Sequence, residues 1–141
     1  MPRRPGGKQR EESVLLPIFC DERRTMPIIN NNAVPMPRPE DGRSARRFVT
    51  KAVGAANVTI GELVMQHGAA LRLHTHPTDE AIILLEGQVE MVVGDERRVV
   101  QAGHTLLAPP GTPHRLINNT GAPARMYTVF PTDNPQTEYV D

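Results

Sequence analysis

The chain has 141 residues, a length typical of one domain. Its sixteen Lys/Arg and sixteen Asp/Glu residues cancel, so the net charge gives no general reason to bind nucleic acid or a membrane. No apolar run is long enough for a transmembrane helix, and the single cysteine, Cys20, excludes an intramolecular disulfide framework and a cysteine-based zinc site.

The N-terminal third differs in composition from the rest. Residues 1–47 carry ten Lys/Arg, six Asp/Glu and seven of the fourteen prolines, whereas the remainder carries six Lys/Arg and ten Asp/Glu. Residues 1–12 have no apolar periodicity and no apolar segment typical of a secretion signal, so we expect a disordered arm and a cytoplasmic protein. Residues 13–45 contain short apolar patches broken by proline, which favours extended segments or edge strands. Cys20 lies in one patch, and we expect it to be a buried structural thiol.

From Phe48 onwards, short segments rich in β-branched residues alternate with glycine-containing turns. No segment shows a sustained 3.6-residue period, which argues against helices. We predict nine strands, near 46–53, 57–66, 70–76, 80–86, 88–93, 97–101, 105–108, 113–117 and 125–130. Many short strands at this spacing indicate an all-β sandwich or barrel over residues 46–131, followed by a tail at 132–141.

Three histidines and one glutamate stand out within the predicted strands. His74 and His76 are two residues apart, so in a strand both imidazoles point the same way. The turn after them can bring Glu80 alongside, and His114 follows a later turn. Three imidazoles and one carboxylate suit a borderline divalent metal. Two histidines at this spacing are weak support alone, because an isolated histidine is more often an ordinary surface or core residue.

The wider pattern is far more specific. Residues 68–87 read GAALRLHTHPTDEAIILLEG, which is G-x5-H-x-H-x3-E-x6-G, and residues 103–118 read GHTLLAPPGTPHRLIN, which is G-x5-P-x-G-x2-H-x3-N. The two segments resemble the two signature motifs of the cupin family, with all ten specified positions matching. Only residues 88–102 separate the motifs, as in compact single-domain cupins.

The resemblance implies an all-β, double-stranded β-helix (jelly-roll) barrel with a metal at its mouth. Carried over position by position, the implied ligands are His74, His76, Glu80 and His114. They would hold one divalent transition metal, with manganese or iron favoured and zinc, nickel or copper also compatible. The motif glycines would lie at strand ends that need a permissive φ; these are Gly68, Gly87, Gly103 and Gly111. We expect Asn118 to tie a turn through side-chain hydrogen bonds.

Arg72 precedes His74 by two residues, so in a strand its side chain points to the same side as those of His74 and His76. It should therefore face the same interior. One interpretation is a salt bridge to a barrel carboxylate or a solvated position at the mouth. The other is a bidentate clamp for a substrate carboxylate. The two remaining histidines, His67 and His104, lie next to turn glycines, and we expect both to be exposed.

Three functions compete. The first is a metal-dependent enzyme acting on a small molecule, either a dioxygenase or a Lewis-acid isomerase, lyase or decarboxylase. The second is a non-enzymatic cupin that binds a small sugar or carboxylate. The third, a storage role, is disfavoured because this single domain keeps all four ligands. The motifs do not choose among the reactions, since substrate choice depends on the pocket wall.

The N-terminal apolar patches also predict an assembly. Val14–Phe19 and Met26–Ile29 are too short to fold alone, and exposed they would be a costly apolar surface. The resemblance to compact cupins implies a dimer, since such cupins often pair with exchanged N-terminal strands. We therefore expect a homodimer in which residues 13–50 contribute to the interface; the alternative is an arm that folds back on its own barrel.

Overall fold

The computed structural model describes residues 26–140. The expectations for the arm at residues 1–12, for Cys20 and for the patch Val14–Phe19 lie outside the described residues. Within the described part, no helix is long and apolar enough to cross a membrane. Its helical elements are two single 3-10 turns, at Asn31–Ala33 and Lys51–Val53.

Ten strands make up the described fold and are numbered here in chain order. They are β1 (Arg43–Val49), β2 (Thr59–Met65), β3 (His74–Thr75), β4 (Glu80–Glu86), β5 (Gln88–Val93), β6 (Glu96–Gln101), β7 (Thr105–Ala108), β8 (His114–Ile117), β9 (Ala124–Phe130) and β10 (Glu138–Tyr139). One sheet has the order β1-β2-β9-β4-β7 and the other has the order β10-β3-β8-β5-β6. Every pair is antiparallel, and successive strands such as β2 and β3 or β4 and β5 lie in different sheets. The expected all-β jelly-roll barrel is confirmed.

The sheets reach beyond both ends of the predicted span 46–131. Strand β1 already begins at Arg43, which pairs with Met65 of β2. At the other end, β10 lies within the predicted tail and pairs with β3. Of the strand predicted at 70–76, only His74–Thr75 forms a strand. Its pairing with β8 is limited to one register pair, between His74 and His114.

The core lies between the two sheets and comes from period-2 alternation. Along β4, Ile82 and Leu84 are buried and their neighbours are half-buried. Leu116 and Met126 are fully buried in the same cluster. Removing apolar surface from water in this way stabilises the folded state by about 25 cal/mol for each Å² buried. Val129 is half-buried, because it lies with Arg125 and Tyr127 on the face of β9 opposite Met126 and Phe130.

Asn118 ties the turn after β8, as expected. Its side chain is fully buried. The amide nitrogen donates to the carbonyl oxygens of Met65 and Ala122, both at 2.9 Å, and the amide oxygen accepts from the backbone and the hydroxyl of Thr120. Because all of these polar groups are paired, a buried amide is tolerated here.

Two motif glycines offer a matched pair for a stability test. Gly87 and Gly103 both have positive φ, 84° and 93°. A Cβ at Gly87 would lie 2.6 Å from the Pro123 carbonyl oxygen, whereas a Cβ at Gly103 would meet nothing within 4 Å. We expect Gly103→Ala to lower the free energy of unfolding by about 1–2 kcal/mol, the cost of left-handed backbone. Gly87→Ala should lose about 1–3 kcal/mol more through the backbone clash. Urea unfolding of both variants checks this, and equal losses would contradict the contact.

Candidate metal centre

The two sheets bring the four predicted side chains to one end of the barrel. His74 is in β3 and is the register partner of His114, the first residue of β8. His76 follows β3, and Glu80 opens β4 in the other sheet. All four are buried, and one potential ligand atom from each lies within 4.8 Å of every other. The spacing in the sequence therefore predicted a cluster that the fold assembles from both sheets.

Backbone carbonyls fix the orientation of all three imidazoles. Nδ1 of His74 donates to the Arg72 carbonyl (2.7 Å), and Nδ1 of His114 donates to the Thr112 carbonyl (2.9 Å). Nδ1 of His76 donates to the Gln136 carbonyl (2.6 Å). A carbonyl oxygen can only accept, so each Nδ1 carries a proton, and each ring in its neutral form presents the lone pair of Nε2. This is the usual arrangement behind metal-ligating histidines.

The interior of the cluster demands a positive species. Glu80 Oε2 lies 2.7 Å from His114 Nε2 and 3.0 Å from His76 Nε2. With Nδ1 protonated, Nε2 and the carboxylate are both acceptors, so only a proton or a cation can hold them this close. Among the described residues, His76 Nε2 is buried and has no partner with hydrogen-bond geometry. The nitrogen and oxygen donors fit one divalent metal ion of borderline hardness.

Burial and close contacts shift the pKa values of the cluster in opposite directions. Burial raises the pKa of Glu80, but the contacts with His114 and His76 outweigh burial and the net shift is downward. Burial lowers the pKa of His76, and its contacts with Glu80 and the Gln136 carbonyl reverse this to a net rise. For His74 burial prevails and the pKa falls, which favours the neutral, ligating ring.

A cavity of about 250 Å³ opens onto the cluster. Phe130, Thr137 and Tyr139 form part of its wall. Arg72 also lines the cavity, with the guanidinium carbon 4.3 Å from the centre of the Tyr139 ring, and the residue as a whole is exposed. The side chain therefore lies beside the predicted ligands, at the mouth of the cavity.

The remaining histidines lie outside the cluster. His67 and His104 are exposed, as expected, and their Nδ1 atoms contact the carbonyls of Thr120 and Gln101. Tyr127 packs edge-on against Phe48 with ring centres 5.5 Å apart. It does not line the cavity.

The contribution of the C-terminal segment to the site was not predicted. Gln136 supplies a main-chain acceptor, and Thr137 and Tyr139 supply cavity wall. A main-chain acceptor leaves no signal in residue types, because any amino acid provides the same carbonyl. Tyr139 was the one available hint, as the single aromatic residue of the tail at 132–141.

The sequence profile described as Cupin domain matches residues 61–130. An uncharacterized protein of Methanocaldococcus jannaschii is 33% identical over 69 residues; the match covers 48% of this chain, which spans only 55% of that protein.

Solved structures with the same fold include enzymes of several kinds. The polyketide cyclase RemF of Streptomyces resistomycificus has a TM-score of 0.72 at 21% identity, covering 83% of this chain and 87% of its own. A sugar phosphate isomerase of Silicibacter pomeroyi has a TM-score of 0.67 at 23% identity, covering 82% of each chain. Lactobacillus farciminis oxalate decarboxylase has a TM-score of 0.68 at 18% identity, covering 77% of this chain and 34% of its own. At these identities the likeness shows the fold alone.

Proposed function

We propose, since residues 61–130 form a cupin domain, that this protein is a metal-dependent enzyme acting on a small molecule. The observation that carries the proposal is the buried cluster itself: three imidazoles whose Nδ1 atoms are held by main-chain carbonyls and one carboxylate, with potential ligand atoms within 4.8 Å of one another. One divalent transition metal, manganese or iron in the first place, would be held by His74, His76, Glu80 and His114. When bound, such an ion supplies Lewis acidity or, for iron, oxygen chemistry.

The chain's own residues prepare the site for that ion. The three carbonyl acceptors hold the imidazoles in one tautomer, so little reorganisation is needed for binding. Phe130 and the apolar core lie behind the cluster, and the four cluster side chains are themselves buried. Substrate would reach the cluster through the mouth of this cavity, past Arg72.

Arg72 is proposed to bind a carboxylate of the substrate. It lines the same cavity as His74 and His76, and the Tyr139 ring supports its guanidinium by a cation–π contact. A guanidinium held in this way loses less rotamer entropy when a carboxylate arrives, which favours a bidentate pair.

The reaction class is a dioxygenation or a Lewis-acid isomerisation, elimination or decarboxylation. Support comes from the fold, which this chain shares with a polyketide cyclase, a sugar phosphate isomerase and an oxalate decarboxylase. A cavity of about 250 Å³ restricts the substrate to a small molecule.

Elemental analysis of the purified protein, paired with activity assays, tests the proposal. Metal-free protein is reloaded with manganese, iron, nickel or zinc, and oxygen uptake and substrate loss are followed with diketones, enols and hydroxy acids. We expect about one metal per chain and turnover of at least one compound. Metal without turnover across the panel would favour a ligand-binding cupin, and absence of stoichiometric metal would contradict the metal centre.

The homodimer remains a prediction. Met26 and Ile28 belong to the second N-terminal patch, and their side chains are 95% and 100% exposed. Apolar side chains so fully exposed support the expectation that another surface covers this segment.

A further inference from the structure

Strand β1 carries a second set of cationic side chains on the cavity wall. Arg43 and Ala45 are in register with Met65 and Leu63, whose side chains belong to the core. The alternation of the strand places Arg47 on the same face. Arg43, Ala45 and Arg47 all line the cavity that opens onto the metal centre. The sequence analysis had placed Arg43 outside the barrel and gave none of these residues a role.

The neighbouring Arg46 shows how a structural arginine is satisfied on this strand. It lies on the opposite face and donates to Glu62 at 2.8 and 2.5 Å. Arg43, by contrast, has a buried Nε without a hydrogen-bond acceptor among the described residues. Its ion-pair contact is a 3.7 Å approach to Asp41, a largely exposed carboxylate that solvent screens. A buried guanidinium N–H without an acceptor is costly, so it points to an acceptor brought by a ligand.

The charges that face the cavity are unbalanced. Four basic residues line the cavity, Arg43, Arg46 and Arg47 of β1 and Arg72 before β3, and on its inner face Glu80 is the acidic residue. Glu62 also borders the cavity but is engaged by Arg46 and Arg125. A divalent ion at the histidine cluster would add to the positive charge. A neutral or singly charged ligand would leave this excess uncompensated in a partly enclosed space.

Ala45 gives the two β1 arginines room to act on a ligand. Positions 43 and 47 are about 13 Å apart along the strand, at roughly 3.3 Å per residue. The methyl side chain of Ala45 between them leaves open space in a cavity of about 250 Å³. A small molecule seated there can reach the β1 arginines at one end and the cluster at the other.

We infer that the substrate is a small organic dianion, with one anionic group at Arg72 and the metal centre and a second bound by Arg43 and Arg47. The first half rests on the proposed function; the second rests on β1 alone. Dicarboxylates and phosphate esters share this chemistry, and the probes distinguish them.

Calorimetric titration of the metal-loaded protein with malonate, succinate, glycerol 3-phosphate and acetate tests the inference. The variants are Arg43→Met and Arg47→Met, with Arg115→Met as the matched control, because Arg115 alternates with the inward-facing His114 and Leu116 of β8. We expect at least one dianion to bind tenfold or more tightly than acetate. Each β1 variant should weaken that dianion about tenfold and change acetate binding less than threefold, with metal content unchanged. The control should match the wild type, and Arg72→Lys should weaken all ligands.

Unchanged dianion affinity in both β1 variants, or acetate binding as tight as any dianion, would overturn the inference. Arg47 is exposed, so Arg47→Met decides the question if Arg43→Met fails to fold. The outcome stays separate from that of the metal proposal. The wild-type protein could bind no metal and still bind a dianion that Arg47→Met fails to bind. That result would support the β1 site and contradict the metal centre.

Discussion

His76→Ala is expected to reduce bound metal from about one ion per chain to below about 0.1 after dialysis. The variant removes one of three Nε2 donors from a buried set whose geometry is fixed by backbone carbonyls. Even changes behind the ligands of metal sites typically weaken affinity 10–100-fold, so loss of a ligand itself should exceed 100-fold. Mass spectrometry of the dialysed protein measures the content, and circular dichroism verifies that the barrel is still folded.

The chain supplies its own controls for this experiment. His67→Ala and His104→Ala remove the same ring from exposed positions outside the cluster, and both should keep full metal content. Full metal content in His76→Ala would show that the ligand assignment is wrong. Zinc in the purified wild type would not identify the native ion, because affinity alone favours late first-row metals.

The strands that were predicted most closely are those with regular alternation and glycine at their ends. β4, β5 and β7 have the predicted bounds, because Gly87 and Gly103 interrupt the pattern where the chain changes sheets. The cluster of three histidines and one glutamate could also be predicted, since a two-residue spacing places His74 and His76 on the same side of any strand.

The features that could not be predicted depend on tertiary pairing. β10 has two residues, too few for any period, and forms because β3 offers it an edge. Both faces of β1 carry arginine, at Arg43 and Arg47 on one side and Arg46 on the other. The residue types alone therefore do not predict which face points inwards. Only the register with β2 shows which of these arginines share a face with the core residues of β2 and which one pairs with Glu62. The second cationic wall was therefore invisible before the fold was known.

The same C-terminal segment that escaped prediction leads to the second large expected effect. Its contacts join it to the metal centre at several points. The Gln136 carbonyl accepts from His76 Nδ1, and the Thr137 hydroxyl lies 3.4 Å from the same nitrogen. Val140 N–H donates to the Leu73 carbonyl, and the Tyr139 ring centre is 6.3 Å from that of His74. The segment thus orients one ligand and covers another.

A chain that ends at Asn134 should fold but bind metal about 10–100-fold more weakly, the range seen when partners behind ligating histidines are removed. Without the Gln136 carbonyl, the His76 ring can rotate and its tautomer is no longer fixed. Competition with a chelating dye measures the affinity. β10 contributes only two paired residues, so urea unfolding should show a much smaller effect than metal binding.

Gln136→Ala distinguishes the role of the Gln136 main-chain carbonyl from that of its side chain. The Gln136 side chain bonds only to Asn134 within the described residues, and the acceptor for His76 is main chain. This variant should therefore keep wild-type metal affinity while the shortened chain loses it. If the shortened chain binds metal as tightly as the full chain, the segment has no part in orienting His76. If Gln136→Ala weakens binding as much as the truncation does, the side chain rather than the carbonyl is responsible.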